Sequence, residues 1–113
     1  MDLRHEHFVS NKQKLKGWRS AFTLSVFQRD KSKCRICDEP AVDAHHITDR
    51  KEMPNDGYAV SNGISLCEKH HWHAEAFHIS KGASWEPNMH PDDLYKIIGS
   101  SKEKAIDDSK KLK

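Results

Sequence analysis

The sequence predicts one small α+β domain, with two short strands and a helix stapled by metal and flanked by helices at both ends. Three observations carry this. The chain has 113 residues, of which 35% are hydrophobic and 32% charged, so it buries a modest share of its surface and needs a staple beyond its apolar core. Its three cysteines exclude a fully paired disulfide framework, and Cys34-x2-Cys37 is too close-set for an ordinary structural bridge. Finally, the apolar pattern runs from helical spacing into two short strand-like segments and back to helical spacing.

Taken in order, residues 1–11 carry no periodicity and are expected to form a loose arm. Ser10 or Asn11 can cap a helix, and Leu15, Trp18, Phe22 and Val26 then recur on one stripe. The spacing predicts a helix over 12–29 within a basic segment 12–33, its other face carrying Lys12, Lys16, Arg19 and Arg29. Residues 34–78 form the expected core. Lys33–Pro40 suits a metal-binding turn, and Ala41–Ile47 alternates like a short strand. The segment 49–62, rich in Pro, Asn, Asp and Gly, reads as a loop. Gly63–Leu66 reads as a returning strand, and a helix follows from Cys67 to about Phe77. Residues 79–113 form a helical extension. His90-Pro91-Asp92-Asp93 opens one helix, with proline and acids in its first turn; Leu94, Ile97 and Ile98 supply its buried side, and Gly99 ends it. Ser100 with Glu103 can open a further turn before a frayed, lysine-rich tail.

Composition excludes some classes of function. No apolar run reaches the ~18–20 residues a bilayer span needs, and the first residues lack the apolar stretch of a secretory signal, so a reducing, cytoplasmic setting is expected. The net charge of +2 is mild, yet Lys12 to Arg35 holds eight basic residues and one acid. Counterion release from phosphates rewards such a stripe, although a solvated helix face also explains it.

Cys34-x2-Cys37 and Cys67-x2-His70 are two pairs whose short gaps let both side chains of each reach one ion. Three thiolates and one imidazole form a standard closed zinc set, and 29 residues separate the pairs, so structural zinc would clamp the strand-loop-strand segment at both ends. A redox CxxC is the competing reading, but nothing around it resembles a thioredoxin pattern.

Six of the nine histidines lie between 45 and 78, more than one zinc site uses. His45 and His46 point to opposite faces if they lie on a strand. His71 and Glu75, four apart on a helix, share a face, and with His45 they would offer two imidazoles and a carboxylate to a divalent cation. At this point the sequence resembles the HNH endonuclease family. The match is carried by Ala44-His45-His46-Ile47, by Ser61-Asn62-Gly63-Ile64-Ser65-Leu66-Cys67, and by His70-His71 followed by Glu75. It covers roughly 34–78, and Phe27-Gln28-Arg29-Asp30 before the first cysteine pair is similar to the zinc-bearing branch of that family.

The resemblance implies a ββα-metal (HNH, or His-Me finger) fold and a metal-dependent endonuclease or nickase acting on DNA, with double-stranded DNA as the expected partner. It implies His46 as the general base, Asn62 as the residue that ties the loop and keeps that base oriented, and His45, His71 and Glu75 as ligands of one catalytic divalent cation, Mg²⁺, Mn²⁺, Ni²⁺ or Zn²⁺. His78 is the alternative to Glu75 as distal ligand, and His73 a further candidate. Products with 5′-phosphate and 3′-hydroxyl ends are implied. Arg50 and Lys51, with Lys12, Lys16 and Arg19, are the candidate phosphate contacts. A phage or mobile-element setting, with other DNA-processing proteins as partners, fits a compact nuclease motif, as a monomer or a homodimer. The competing function is a zinc-stabilised nucleic-acid-binding module without catalytic activity.

Overall fold

A computed structural model of the protein describes the backbone of residues 3–112 and the side chains of 14–112. The first helix, α1 (Leu3–Arg29), has 27 residues and so runs about 40 Å. It begins well before Asn11, so the arm expected over 1–11 is helical from Leu3. No glycine or proline interrupts residues 3–16, which lets the helix propagate past the candidate caps Ser10 and Asn11. The side chain of Lys12 lies outside the described residues. At its other end α1 closes without glycine: Lys31 and Ser32 adopt left-handed φ values of 56° and 57°, and the Ser32 N–H bonds back to the Phe27 carbonyl at 2.8 Å, the six-to-one bond of a Schellman close.

The sheet is one antiparallel pair, β1 (Asp43–His46) and β2 (Gly63–Leu66), in a register that sets Asp43 opposite Leu66 and His46 opposite Gly63. The predicted stripe of α1 packs on it: Phe22 and Val26 are buried with Tyr58, and Leu15, Trp18 and Ala44 pack around them. Gly63 permits the approach, because a Cβ there would fall 2.5 Å from Val26 Cγ2 and 2.6 Å from the Phe22 ring. Between the strands the expected loop holds three short 3₁₀ turns, at Arg50–Glu52, Pro54–Gly57 and Val60–Asn62.

Helix α2 (Glu68–Ile79) follows β2 directly, with Cys67 at its N-cap. Next comes α3 (Pro91–Ile97), whose predicted start is realised as a capping box: the His90 ring accepts from the Asp92 N–H and the Asp93 carboxylate accepts from the His90 N–H. The last helix, α4 (Lys102–Lys110), is capped by Ser101 rather than Ser100, the Ser101 hydroxyl accepting from the Lys104 N–H. Ser100 instead donates its hydroxyl to the Ser61 carbonyl. The tail is not frayed at Leu112, which packs against the Phe22, Val26 and Tyr58 cluster. The larger core joins Ile47, Ile64 and Leu66 of the hairpin region to Ala74 of α2, Leu94 and Tyr95 of α3, and Ala105 of α4. No helix among the described residues is long and apolar enough to cross a membrane.

Asp30 ties α1 to this core. Its carboxylate accepts from Arg29 at 2.7 and 2.8 Å, from Arg35 at 2.7 Å and from the Ser65 N–H at 3.0 Å. Burial pushes its pKa up, but the hydrogen bonds from Arg29 and Arg35 outweigh burial and bring it down to about 2. The folded pKa is therefore below the unfolded value of 3.8, so this stabilisation is present above pH ~4 and is lost as pH falls toward 2. The shift corresponds to about 2 kcal/mol. Urea unfolding at pH 7 and pH 2.5 should show a loss on acidification that is smaller by about that amount in Asp30→Asn, which starts less stable at neutral pH. An unchanged acid dependence in the variant would remove Asp30 from the account.

Candidate metal centres

Cys34 and Cys37 lie on the tight turn after α1, closed by the Cys34 N–H to the Glu39 carbonyl at 2.7 Å and the Asp38 N–H to the Cys34 carbonyl at 2.9 Å. Cys67 and His70 stand at the start of α2, one turn apart. The fold brings these two pairs together, with the ligand atoms of Cys34, Cys37, Cys67 and His70 all within 4.8 Å of one another. Cys34 Sγ is 3.6 Å from His70 Nδ1, Cys67 Sγ is 3.3 Å from the same nitrogen, and Cys37 Sγ is 3.7 Å from Cys67 Sγ. Tetrahedral zinc with sulfur and nitrogen ligands holds them about 3.5–3.8 Å apart, and these three spacings lie in or close to that range. The thiols differ: at Cys37 the Glu39 N–H lowers the pKa, but burial and the neighbouring Cys67 and Cys34 thiols outweigh it and raise it to about 11. Burial raises the Cys34 thiol pKa, yet the N–H groups of Cys67, Ile36 and Cys37 around it outweigh burial and leave it lowered, favouring the thiolate that binds metal. The set can hold a metal ion such as zinc.

A second cluster forms where β1 faces α2. Strand alternation turns His45 toward the helix and His46 toward α1. His45 is buried, at 2% exposure, and neither of its ring nitrogens has a hydrogen-bond partner. Its Nδ1 stands 3.2 Å from Glu75 Oε1, off the hydrogen-bond direction. Glu75 Oε1 is 3.5 Å from His71 Nε2, which is itself 3.2 Å from Asp43 Oδ2. His78 completes the group, its ring stacked on His45 at 5.1 Å. Burial drives the His45 pKa down and keeps the ring neutral. A neutral buried imidazole with two bare nitrogens beside an ionised carboxylate is costly unless something fills the gap. Ligands of a divalent cation stand about 3.0–3.5 Å apart when their bonds are near 2.1 Å; the His45–Glu75, Glu75–His71 and His71–Asp43 spacings fall in that range, and the residues form two overlapping groups, Asp43 with His45 and His71, and His45 with Glu75 and His78. His78 Nε2 bonds the His46 carbonyl at 2.9 Å, which leaves its Nδ1 as a lone-pair nitrogen, and a ligand atom of His78 lies within 4.8 Å of those of His45 and Glu75.

His46, on the opposite face, stacks on Phe22 at 4.5 Å and meets the edge of Tyr58 at 5.1 Å. Burial, then the neighbouring His45 and Arg50, lower its pKa to about 4, so it is neutral at pH 7, and its Nε2 has no partner. His45, His46, Glu75 and His78 line one cleft of about 310 Å³, together with Asp43, Arg19 and Arg50. Arg50 lies over the Tyr58 ring at 5.2 Å and 3.6 Å from Asp56. Lys16 and Lys51 are exposed but do not line the cleft.

Asn62 is fully buried and ties three segments together. Its Oδ1 accepts from the Thr48 N–H at 3.0 Å and from the Tyr95 hydroxyl at 2.7 Å, and its Nδ2 donates to the carbonyls of Thr48 and Gly57, both at 3.1 Å. The Thr48 hydroxyl in turn donates to Tyr95, 2.7 Å away, and burial pushes the Tyr95 phenol up to about 12, so it stays a donor. Gly57 is required here: it adopts φ +65°, and a Cβ would lie 2.6 Å from Asn62 Nδ2. Asn62→Ala should cost about 3 kcal/mol or more, because it leaves the Thr48 N–H and carbonyl and the Gly57 carbonyl without that partner and the Tyr95 hydroxyl with Thr48 alone. Denaturant unfolding checks this; a loss under about 1 kcal/mol would mean that water replaces the amide.

Three residues joined to these clusters were not singled out from the sequence. Asp43 was legible in principle, since residues two apart on a strand share a face and it precedes His45 by two. Tyr58 and Tyr95 carried no local signal, because their partners lie in other elements. Conversely His73 falls in neither cluster; its ring meets His70 at 5.7 Å. No family model, curated protein or solved structure matches the chain significantly.

Proposed function

We propose that the chain is a metal-dependent endonuclease or nickase of the HNH type, hydrolysing DNA phosphodiester bonds. The observation that carries this reading is the division of labour on β1. His45 sets its unpartnered Nδ1 3.2 Å from Glu75 Oε1, while its neighbour His46, neutral and unprotonated at one ring nitrogen, lines the same cleft. His45, His71 and Glu75 would hold the cation, and Cys34, Cys37, Cys67 and His70 a structural zinc. A divalent cation in the cluster supplies electrostatic stabilisation for charge that develops on the phosphate and the leaving 3′ oxygen. The chain does the rest. His46 accepts the proton of the attacking water, for which a neutral imidazole is the right form. Phe22 and Tyr58 pin its ring from two sides, and Asn62 positions it indirectly by fixing residue 48, two beyond it. Arg19 and Arg50, at the cleft walls, supply the phosphate contacts, and Arg50 is partly pre-oriented by Tyr58.

The test is incubation of the full chain with supercoiled plasmid and a series of Mg²⁺, Mn²⁺, Ni²⁺ and Zn²⁺. Conversion to nicked or linear DNA with at least one cation is expected, its products bearing 5′-phosphate and 3′-hydroxyl ends. Salt-sensitive DNA binding with no cleavage under any cation would overturn the catalytic reading in favour of a zinc-stabilised binding module.

A further inference from the structure

Resting on this assignment of the cluster, we propose that Asp43 is a fourth ligand of the cation, standing at the solvent-facing mouth of the site. The carboxylate belongs to the cluster by geometry. Its Oδ2 is 3.2 Å from His71 Nε2, as close as Glu75 Oε1 is to His45 Nδ1 at 3.2 Å. The ligand atoms of Asp43, His45 and His71 all lie within 4.8 Å of one another. His71 Nε2 thus has two carboxylate oxygens near it, Asp43 Oδ2 at 3.2 Å and Glu75 Oε1 at 3.5 Å. The placement follows from the strand: Asp43 and His45 share the face of β1 that looks at α2, one at the strand's open end and one at its buried middle. Side-chain exposure grades accordingly, from 1% at His45 through 33% at His71 and at Glu75 to 42% at Asp43.

The charge balance favours the same assignment. Two neutral imidazoles and one carboxylate leave a divalent cation with a net charge of +1, whereas a second carboxylate neutralises it. Four protein ligands still leave positions open in a six-coordinate ion, and the mixed set of two nitrogens and two oxygens suits Mn²⁺, Ni²⁺ or Zn²⁺ better than an all-oxygen Mg²⁺ site. The alternative role for Asp43 is to accept a hydrogen bond from the His71 Nε2–H and act only through that ring. The two roles differ in one measurable respect, because a direct ligand contributes whether or not His71 is present.

Mn²⁺ binding to the zinc-loaded full chain, followed by the loss of the free-ion electron paramagnetic resonance signal, separates these outcomes without any substrate. Wild type is expected to bind one Mn²⁺. Asp43→Asn should raise the dissociation constant about tenfold or more, a range that loss of an outer partner already reaches. It should still raise it in a His71→Gln background, though not additively, because a direct ligand contributes of itself whereas an outer partner of the His71 ring loses its effect with that ring. A dissociation constant unchanged by Asp43→Asn, or an effect that vanishes in the His71→Gln background, overturns Asp43 as a ligand while leaving the cluster itself standing. Mn²⁺ binding that neither Glu75→Gln nor His71→Gln weakens overturns the cluster, and with it the proposed nuclease site. Asp43 is half-exposed at the start of a strand, so its variant should fold, which circular dichroism confirms before titration.

Discussion

Cys67→Ser should yield a chain that neither retains zinc nor unfolds cooperatively. Cys67 is buried at 9% exposure at the N-cap of α2, and its Sγ is the atom in contact with both Cys37 Sγ and His70 Nδ1. A serine hydroxyl stays protonated at neutral pH and makes a poor zinc ligand. The magnitude decides the outcome. Structural zinc contributes on the order of 10–16 kcal/mol in zinc-finger peptides, while a domain of this size has a net stability of about 5–15 kcal/mol. Loss of one ligand therefore removes most or all of the margin. Metal analysis should find zinc near one per chain in wild type and far less in the variant, with the thermal transition broadened or absent. Chelation of the wild-type protein should reach the same state, and added Zn²⁺ should restore wild type alone. A variant with full zinc content and an unchanged melting temperature would sink the structural-zinc assignment.

His46→Ala should leave that zinc in place and reduce DNA cleavage by about 10² to 10⁴, the range for loss of a general base. The separation of effects is the informative part. His46 belongs to neither metal-ligating cluster and faces Phe22 and Tyr58 rather than α2, so zinc content and Mn²⁺ affinity should both stay near wild type. Some stability is lost with the ring stack, on the order of 1 kcal/mol. His46→Gln, which keeps much of the side-chain bulk, controls for this. Cleavage by His46→Gln at the wild-type rate would remove His46 as the base. A fall in Mn²⁺ affinity that matches the fall in rate would make it a metal-site residue instead.

Local chemistry made much of the architecture legible. The pairs Cys34-x2-Cys37 and Cys67-x2-His70 announce a shared ion because two-residue gaps set both side chains of a pair on one side of a turn. The structure brings all four ligand atoms within 4.8 Å. The stripe Leu15, Trp18, Phe22 and Val26 faces the hairpin as its helical spacing requires, and His90-Pro91-Asp92-Asp93 becomes a capping box. The errors share a cause. A cap residue is only an opportunity to stop a helix, so α1 runs through Ser10 and Asn11 to Leu3, and Ser101 outcompetes Ser100 because Ser100 finds the Ser61 carbonyl.

The sequence by itself determined which three cysteines and one histidine form a set that could hold a metal ion, and on which elements they lie, because the spacing within each pair is a property of neighbours along the chain. Strand alternation alone sends His45 and His46 to opposite faces. Only the tertiary structure decided what each face meets. It seals His45 without hydrogen-bond partners against Glu75, adds Asp43 through His71, presses His46 onto Phe22, and joins Asn62 to Tyr95, 33 residues away. Those contacts arise from packing α1, α2 and α3 around two four-residue strands, and desolvation and ligand geometry depend on distance in space rather than on separation in sequence.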